Sequence, residues 1–251
     1  MTPTLLPNSQ KILKLFKNKN GLEIGGPSKF FYEHGPLPIY PVVKSLDNIN
    51  YAQNTEWTGK INKKNGNMIQ NIRYGDQYIA DAVSLKKIPR GKYDFILSCN
   101  NLEHIANPLQ AIAEFCKVLK KKGLLLIIVP KKESNFDHRR PTAEWDHLLH
   151  DYLAHTKEND LTHLKEVLAS HDLRLDPWAH GLENFKKRCA DNAGNRCLHQ
   201  HVFDLSILQK MLEYFDISVI ETAVISTDYV ILGQKKEINW CTEKQTVMVL
   251  I

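Results

Sequence analysis

The sequence predicts an α/β fold built on one open, mostly parallel sheet. Three features point to it. Short apolar runs recur along the first half of the chain, each ending in polar or acidic residues. The run from Leu124 to Val129 is continuously apolar and stopped by Pro130, as expected of a strand covered on both faces. A helical pattern, with Leu109, Ile112, Ala113, Cys116, Val118 and Leu119 on one side, separates that run from the apolar run before it. In sheets of this kind a ligand lies over the carboxyl ends of the strands, so the polar residues there are the candidates for function.

With 251 residues, 43% of them hydrophobic, the chain can bury a sizeable core. One domain over 1–251 is expected, with its core at about 20–130 and 204–234 and an insertion at about 131–203. The net charge is +5, but the lysines are scattered and not interleaved with aromatic residues, which disfavours nucleic acid as a partner. Five cysteines without a Cys-x-x-Cys pair argue against a disulfide framework and for a reducing, cytoplasmic setting. No apolar run approaches the length that spans a bilayer.

In chain order, Asn8-Ser9 opens a short helix to about Phe16, and Gly21-Leu22-Glu23-Ile24 forms a buried strand running into Gly25-Gly26-Pro27-Ser28. Two glycines mark a turn where the backbone comes close to a ligand, and the third glycine of a dinucleotide fingerprint is missing. Glu23 beside the turn would repel a pyrophosphate but suits an amine, which favours a ligand such as S-adenosylmethionine (SAM) over a nicotinamide dinucleotide. A second strand is expected over Ile39 to Leu46, ending at Asp47, 24 residues beyond Glu23, near the spacing of a ribose-binding carboxylate. The Asn- and Lys-rich stretch 48–77 reads as loop. Gln77 to Ala82 reads as a strand closing on Asp81-Ala82, and Tyr93 to Cys99 as another, leaving through Asn100 to Ile105. The helix from Pro108 is expected to end in Lys120-Lys121-Lys122-Gly123, with cations at its negative end. A helix over Phe203 to Phe215 capped by Asp204, strands at Ile217 to Val224 and Tyr229 to Leu232 paired antiparallel, and a tail from Glu237 complete the chain.

With these pieces in order, the sequence resembles the class I SAM-dependent methyltransferases over about residues 20–130 and 204–234. The resemblance is carried by Leu-Glu-Ile-Gly-Gly at 22–26, Asp47, Asp81-Ala82, and Cys99 to Ile105 followed by a helix ending Val118-Leu119-Lys120-Lys121-Lys122-Gly123. It implies a Rossmann-like class I methyltransferase sheet with an antiparallel edge pair, a SAM cofactor, and cofactor contacts from Glu23, Gly25, Gly26, Asp47, Asp81, Ala82, Asn100 and His104. Gly26-Pro27-Ser28 departs from the family's Gly-x-Gly continuation. Asn135 to Thr142 and Asn195 to Asp204 are similar to segments of sugar O-methyltransferases encoded beside glycosyltransferases, which implies methylation of a sugar hydroxyl, such as that of rhamnose, in glycan biosynthesis.

The insertion holds nine of the eleven histidines, between His138 and His201. A sugar hydroxyl needs a base or a metal to become a nucleophile. Asp137, His138, His163 and His201 are the catalytic candidates, and His163, Glu166, His199 and His201 could hold a divalent metal. His147, His150 and Asp151 share a helix face by spacing. Other readings stay open from sequence alone: O- or N-methylation of another small metabolite, or a non-catalytic module that binds metal or protein.

Overall fold

The computed structural model describes residues 5–237. Its centre is a seven-stranded sheet of β1 (Asn20–Ile24), β2 (Ser45–Asn50), β3 (Gln77–Ile79), β4 (Tyr93–Cys99), β5 (Leu119–Pro130), β6 (Ile217–Val224) and β7 (Asp228–Lys235), in the order β6-β7-β5-β4-β1-β2-β3. The first five strands pair in parallel, and β7 enters antiparallel between β5 and β6. The Rossmann-like sheet with its antiparallel edge pair is the one the sequence predicts.

Strand β5 shows why the sheet is a middle layer. Leu124, Leu126 and Ile128 pack with α1 (Ser9–Phe16) and the aromatic residues Phe30, Phe31 and Tyr40 on one face. Leu125, Ile127 and Val129 pack on the other face with α2 (Pro108–Val118) and α7 (Leu205–Tyr214). Alternate side chains of a strand point to opposite faces, so a run apolar at every position must be covered twice. Outer strand β6 instead alternates between half-buried and exposed residues. Asn107 caps α2 by accepting from the Gln110 N–H, and Asp204 caps α7 by accepting from that of Ile207.

Several local expectations fail for identifiable reasons. Pro41 has no N–H for a ladder, so Tyr40–Val42 is a 3-10 turn and β2 begins only at Ser45. Asp47 therefore lies inside β2 and not at its carboxyl end. Helix α2 stops at Val118, and Lys120 to Lys122 begin β5, where Lys120 pairs with Asp94 at 2.7 Å. Between β1 and β2 only the short 3-10 turns Lys29–Phe31 and Tyr40–Val42 occur, so no α-helix starts at the glycine turn. Residues 51–76 form two small antiparallel ribbons, Asn54–Thr55 with Gly59–Lys60 and Asn67–Ile69 with Ile72–Gly75. The expected tail beyond residue 237 lies outside the described residues.

The insertion leaves β5 at Pro130 and contains α3 (Trp145–Ala154), α4 (Leu164–Ser170), α5 (Leu182–Ala190) and the single turn α6 (Asn192–Asn195). It carries its own small apolar cluster of Val167, Ala179, Phe185, Cys189 and Leu198. Among the described residues no helix is long and apolar enough to cross a membrane.

Phe95 tests the central packing. It is fully buried, meets Phe16 edge-on at 5.1 Å, and fills the space a Cβ on Gly21 would need. Phe95→Ala is expected to cost about 3–5 kcal/mol of stability. Urea unfolding should show this as a lower midpoint at unchanged slope.

Candidate active site

The carboxyl ends of the parallel strands meet in a cleft lined by Ile24, Gly25, Asn50, Asp81, Asn100 and His104, with Ile49, Tyr51, Trp57, Ala80, Ala82, Asn101 and Arg196 completing its wall. Its floor is built by the glycine turn. Gly25 has φ +79°, and a Cβ there would lie 2.6 Å from Asn101 Nδ2. A Cβ on Gly26 would run into the Glu23 carboxyl group. The Gly26 carbonyl accepts from Asn48 Nδ2 (2.8 Å) and Asn50 Nδ2 (3.3 Å), which ties the turn to β2.

Glu23 supports this turn from beneath and does not line the cleft. Its carboxyl group is fully buried, accepting from Tyr40 Oη at 2.8 and 2.9 Å and from the Ser28 N–H at 3.0 Å. Burial pushes its pKa up to about 8, against those hydrogen bonds, so it is largely protonated at neutral pH. Asp47 is also outside the cleft. It is held by Tyr93 Oη (2.7 Å), Lys92 Nζ (2.8 Å) and the Asp76 N–H (2.8 Å), and the end of β2 presents Asn50 and Tyr51 instead. Asp81, Ala82, Asn100 and His104 do line the cleft. Asp81 is already engaged: Arg196 from the insertion donates to it at 2.8 Å and pairs with Glu158 at 2.9 Å, with its guanidinium 5.2 Å from the Tyr51 ring centre. Beneath this strap the cleft measures only ≈ 70 Å³.

Glu103, His104 and His199 bring one potential ligand atom each to within 4.8 Å of one another beside the cleft. The His104 and His199 rings meet edge-on at 4.5 Å, and Trp57 packs on His104 at 5.0 Å. His199 Nδ1 lies 2.5 Å from Asp137 Oδ2, and Arg140 donates to the other Asp137 oxygen at 3.2 Å. Burial alone would raise the Asp137 carboxyl, but the His199 and Arg140 charges outweigh it and hold it at about 2. The same pairing lifts His199 above its ordinary value in spite of burial. Burial, followed by the neighbouring His199 charge, keeps His104 well below the ordinary histidine range. Burial also pushes Glu103 up to about 7, and neither of its carboxyl oxygens has a hydrogen-bond partner.

A second cavity of ≈ 710 Å³ adjoins the cleft at Trp57 and is lined by Glu56, Trp178, Asn184, Lys187, Arg188 and Asn195, among others. Trp57 and Trp178 are 54% and 77% exposed, unusual for the largest aromatic side chain unless something packs on it.

The fold agrees with the comparisons to known proteins. A family model described as a methyltransferase domain matches residues 4–221. The chain belongs to this methyltransferase family. It is an enzyme of methyl transfer, with SAM as the methyl donor. No curated protein matches the sequence. Among solved structures, a proposed sarcosine dimethylglycine methyltransferase of Galdieria sulphuraria is similar at 13% identity and TM-score 0.51, covering 92% of this chain and 84% of its own. A SAM-dependent methyltransferase of Thermotoga maritima, proposed as a histamine N-methyltransferase, is 16% identical with TM-score 0.47, covering 91% and 88%. The N-methyltransferase NodS of Bradyrhizobium japonicum is 13% identical with TM-score 0.48, covering 92% and 96%.

The histidine-rich insertion of the methyltransferase is divided differently from the sequence expectation. His199 and His201 do not share a site: His199 joins Glu103 and His104, whereas His201 joins His147 and His163. The reason is local. The N–H groups of Gln200 and His201 both reach the Glu103 carbonyl (2.8 and 3.3 Å), so the segment is not regularly extended and the two-residue alternation does not apply. Glu166 is taken by Arg140 at 2.8 Å, with its other oxygen 3.9 Å from His163 Nδ1. His138 faces Asp172 at 3.2 Å and does not line the cleft. Arg140, Arg196, Glu103, Trp57 and the amide pair Asn48 and Asn50 were not anticipated as site residues. Glu103, inside the Leu-Glu-His run, and Arg140 and Arg196, inside the segments 135–142 and 195–204, carried a sequence signal.

Glu103 gives a pH test with a definite sign. Its folded pKa of about 7 exceeds the ordinary glutamate value of 4.5, so the folded state binds more protons than the unfolded state between those values, and stability falls as pH rises through that window. Glu103→Gln abolishes this loss. The variant should be about 3 kcal/mol more stable than the parent above pH 7, with the difference vanishing near pH 4.5, in urea titrations across that range.

Proposed function

We propose that this methyltransferase transfers the methyl group of SAM to a hydroxyl of a sugar, a deoxyhexose such as rhamnose being the type, in cytoplasmic glycan biosynthesis. The observation that carries the reading is the large cavity joined to the cofactor cleft at Trp57. Two exposed tryptophans offer flat apolar faces for the C–H side of a sugar ring, while Asn184, Asn195 and Glu56 offer partners for hydroxyl groups. Lys187 and Arg188 on the same wall suit the phosphate of a nucleotide-linked sugar.

In this reading the adenine lies against Ala82 and Asp81, the ribose at Asn50 and Tyr51, and the methionyl portion at Gly25, Asn100 and Asn101. The cleft is smaller than the roughly 300 Å³ or more of ordinary small-molecule sites, so SAM enters by displacing Arg196 from Asp81. The reaction is an in-line substitution. The acceptor oxygen bonds to the methyl carbon, the carbon–sulfur bond breaks to leave S-adenosylhomocysteine, and the hydroxyl proton passes to a base. That base is His104: it lines the cleft, its lowered pKa leaves it neutral, and its Nδ1 has no partner. Of the four side chains expected to do the chemistry, Asp137 acts by holding His199 against His104. His138 takes no part, and His163 and His201 belong to a separate cluster.

The test is S-adenosylhomocysteine production from SAM with a panel of free, glycosidic and nucleotide-linked rhamnose and fucose. No turnover with any sugar, by protein that binds S-adenosylhomocysteine, would sink the acceptor assignment. His104→Gln is expected to lower kcat about 10²–10⁴-fold with little change in S-adenosylhomocysteine affinity. Because the His104 pKa is lowered, the acid limb of the parent's kcat profile should fall below pH 6.5.

A further inference from the structure

We propose that His147, Asp151, His163 and His201 form a binding site for one divalent transition-metal ion of the zinc class. The four residues come from three places in the insertion. His147 and Asp151 are one helical turn apart on α3, His163 precedes the first turn of α4, and His201 lies on the segment that leads into α7. Three imidazoles each bring a ring nitrogen to within 4.8 Å of the others. His147 Nε2 lies 2.9 Å from His163 Nε2 and 3.2 Å from Asp151 Oδ2, and His201 Nε2 lies 3.6 Å from that same oxygen.

Hydrogen bonding within the cluster does not account for all of these nitrogens, although His201 Nε2 also lies 3.3 Å from the Ala106 carbonyl, a contact that metal binding through this atom would give up. Two ring nitrogens 2.9 Å apart share one proton at most. His201, only 1% exposed, has no partner for its Nδ1. Separations of 2.9 to 4.8 Å bracket those set by a tetrahedral ion with bonds of about 2.0–2.2 Å to nitrogen and oxygen, so small ring rotations complete the geometry. Mixed imidazole and carboxylate donors favour zinc and its first-row neighbours over magnesium or calcium.

The surroundings also fit. Asp151 Oδ1 accepts from Thr156 Oγ1 at 3.0 Å, which leaves Oδ2 facing the histidines. Glu166 Oε2 stands 3.9 Å from His163 Nδ1, beyond hydrogen-bond distance, and adds a negative charge beside the cluster. A cavity of ≈ 290 Å³, lined by His147, His163, His201, Glu144 and Glu166 among others, opens onto the cluster. None of its lining residues lines the cofactor cleft, so the ion ties parts of the insertion together and does not touch the methyl donor. The site is independent of the sugar-acceptor reading.

The test uses the full chain, stripped with chelator and titrated with zinc by calorimetry, with cobalt(II) as a spectroscopic substitute. One equivalent should bind and raise Tm. His147→Ala and His163→Ala should each weaken binding by at least about 10–100-fold, whereas His150→Ala, an exposed neighbour on α3, should bind as the parent does. Zinc-edge absorption on the parent protein, which needs no variant to fold, should show at least two imidazole ligands. Absence of stoichiometric binding overturns the proposal. So does binding that survives His147→Ala and His163→Ala but is lost in His104→Ala, because that would place the ion on the Glu103–His104–His199 group. Methylation is not the readout, so failure of the sugar assignment leaves the result interpretable.

Discussion

Arg140 is buried almost completely, and its guanidinium must find partners for every donor in a place water does not reach. It bonds Asp137 at 3.2 Å, Glu166 at 2.8 Å, and the carbonyls of His199 and Gln200 at 2.8 and 3.1 Å. Those four contacts hold the two histidine groups of the insertion in place from one side chain. Through Asp137 the guanidinium fixes His199 beside the cleft. It also holds Glu166, whose other oxygen lies 3.9 Å from His163 Nδ1. A buried ion network is weak evidence of stability in itself, but removing one partner leaves a charge uncompensated, so the network allows one arrangement of the segments it joins.

The cleft depends on a second constraint, the turn at Gly25-Gly26. Here no helix follows the first strand, and the turn is held by side chains. Glu23 and Tyr40 brace it from below, and Asn48 and Asn50 grip the Gly26 carbonyl from the neighbouring strand. Pro27 follows the turn, and the chain crosses to β2 through aromatic residues packed on the sheet. Family resemblance points to Glu23 as a cofactor contact, but its neutral, buried carboxyl group makes it part of the scaffold.

The elements most legible in sequence are those whose signal is local. The continuous apolar run of β5, the alternating edge strand β6, and Asp204 capping α7 follow from periodicity and capping chemistry within a few residues. Asp81, Ala82, Asn100 and His104 lie on the chain exits of β3 and β4, and strand ends in a parallel sheet converge, which brings all four to the cleft. Asp47 misled because a spacing was counted from one strand to the next without allowing for Pro41, which delays the start of β2 by several residues. The insertion resisted for a different reason. Its histidines stand out in the sequence, but their partners lie far along the chain: His199 with Asp137, His201 with His147 and Asp151.

The sequence by itself determined the order of the core strands and helices, the glycine turn after β1, and the concentration of histidines after β5. These are consequences of backbone preference and hydrophobic period, which act over neighbouring residues. Only the tertiary structure decided that His199 joins His104 beside the cleft while His201 joins His147 and His163. That choice depends on where one carbonyl, that of Glu103, receives two successive N–H groups, and on which carboxylates the Arg140 charge draws inward. Both are contacts between segments remote in sequence, and their geometry exists only once the sheet and the insertion have packed.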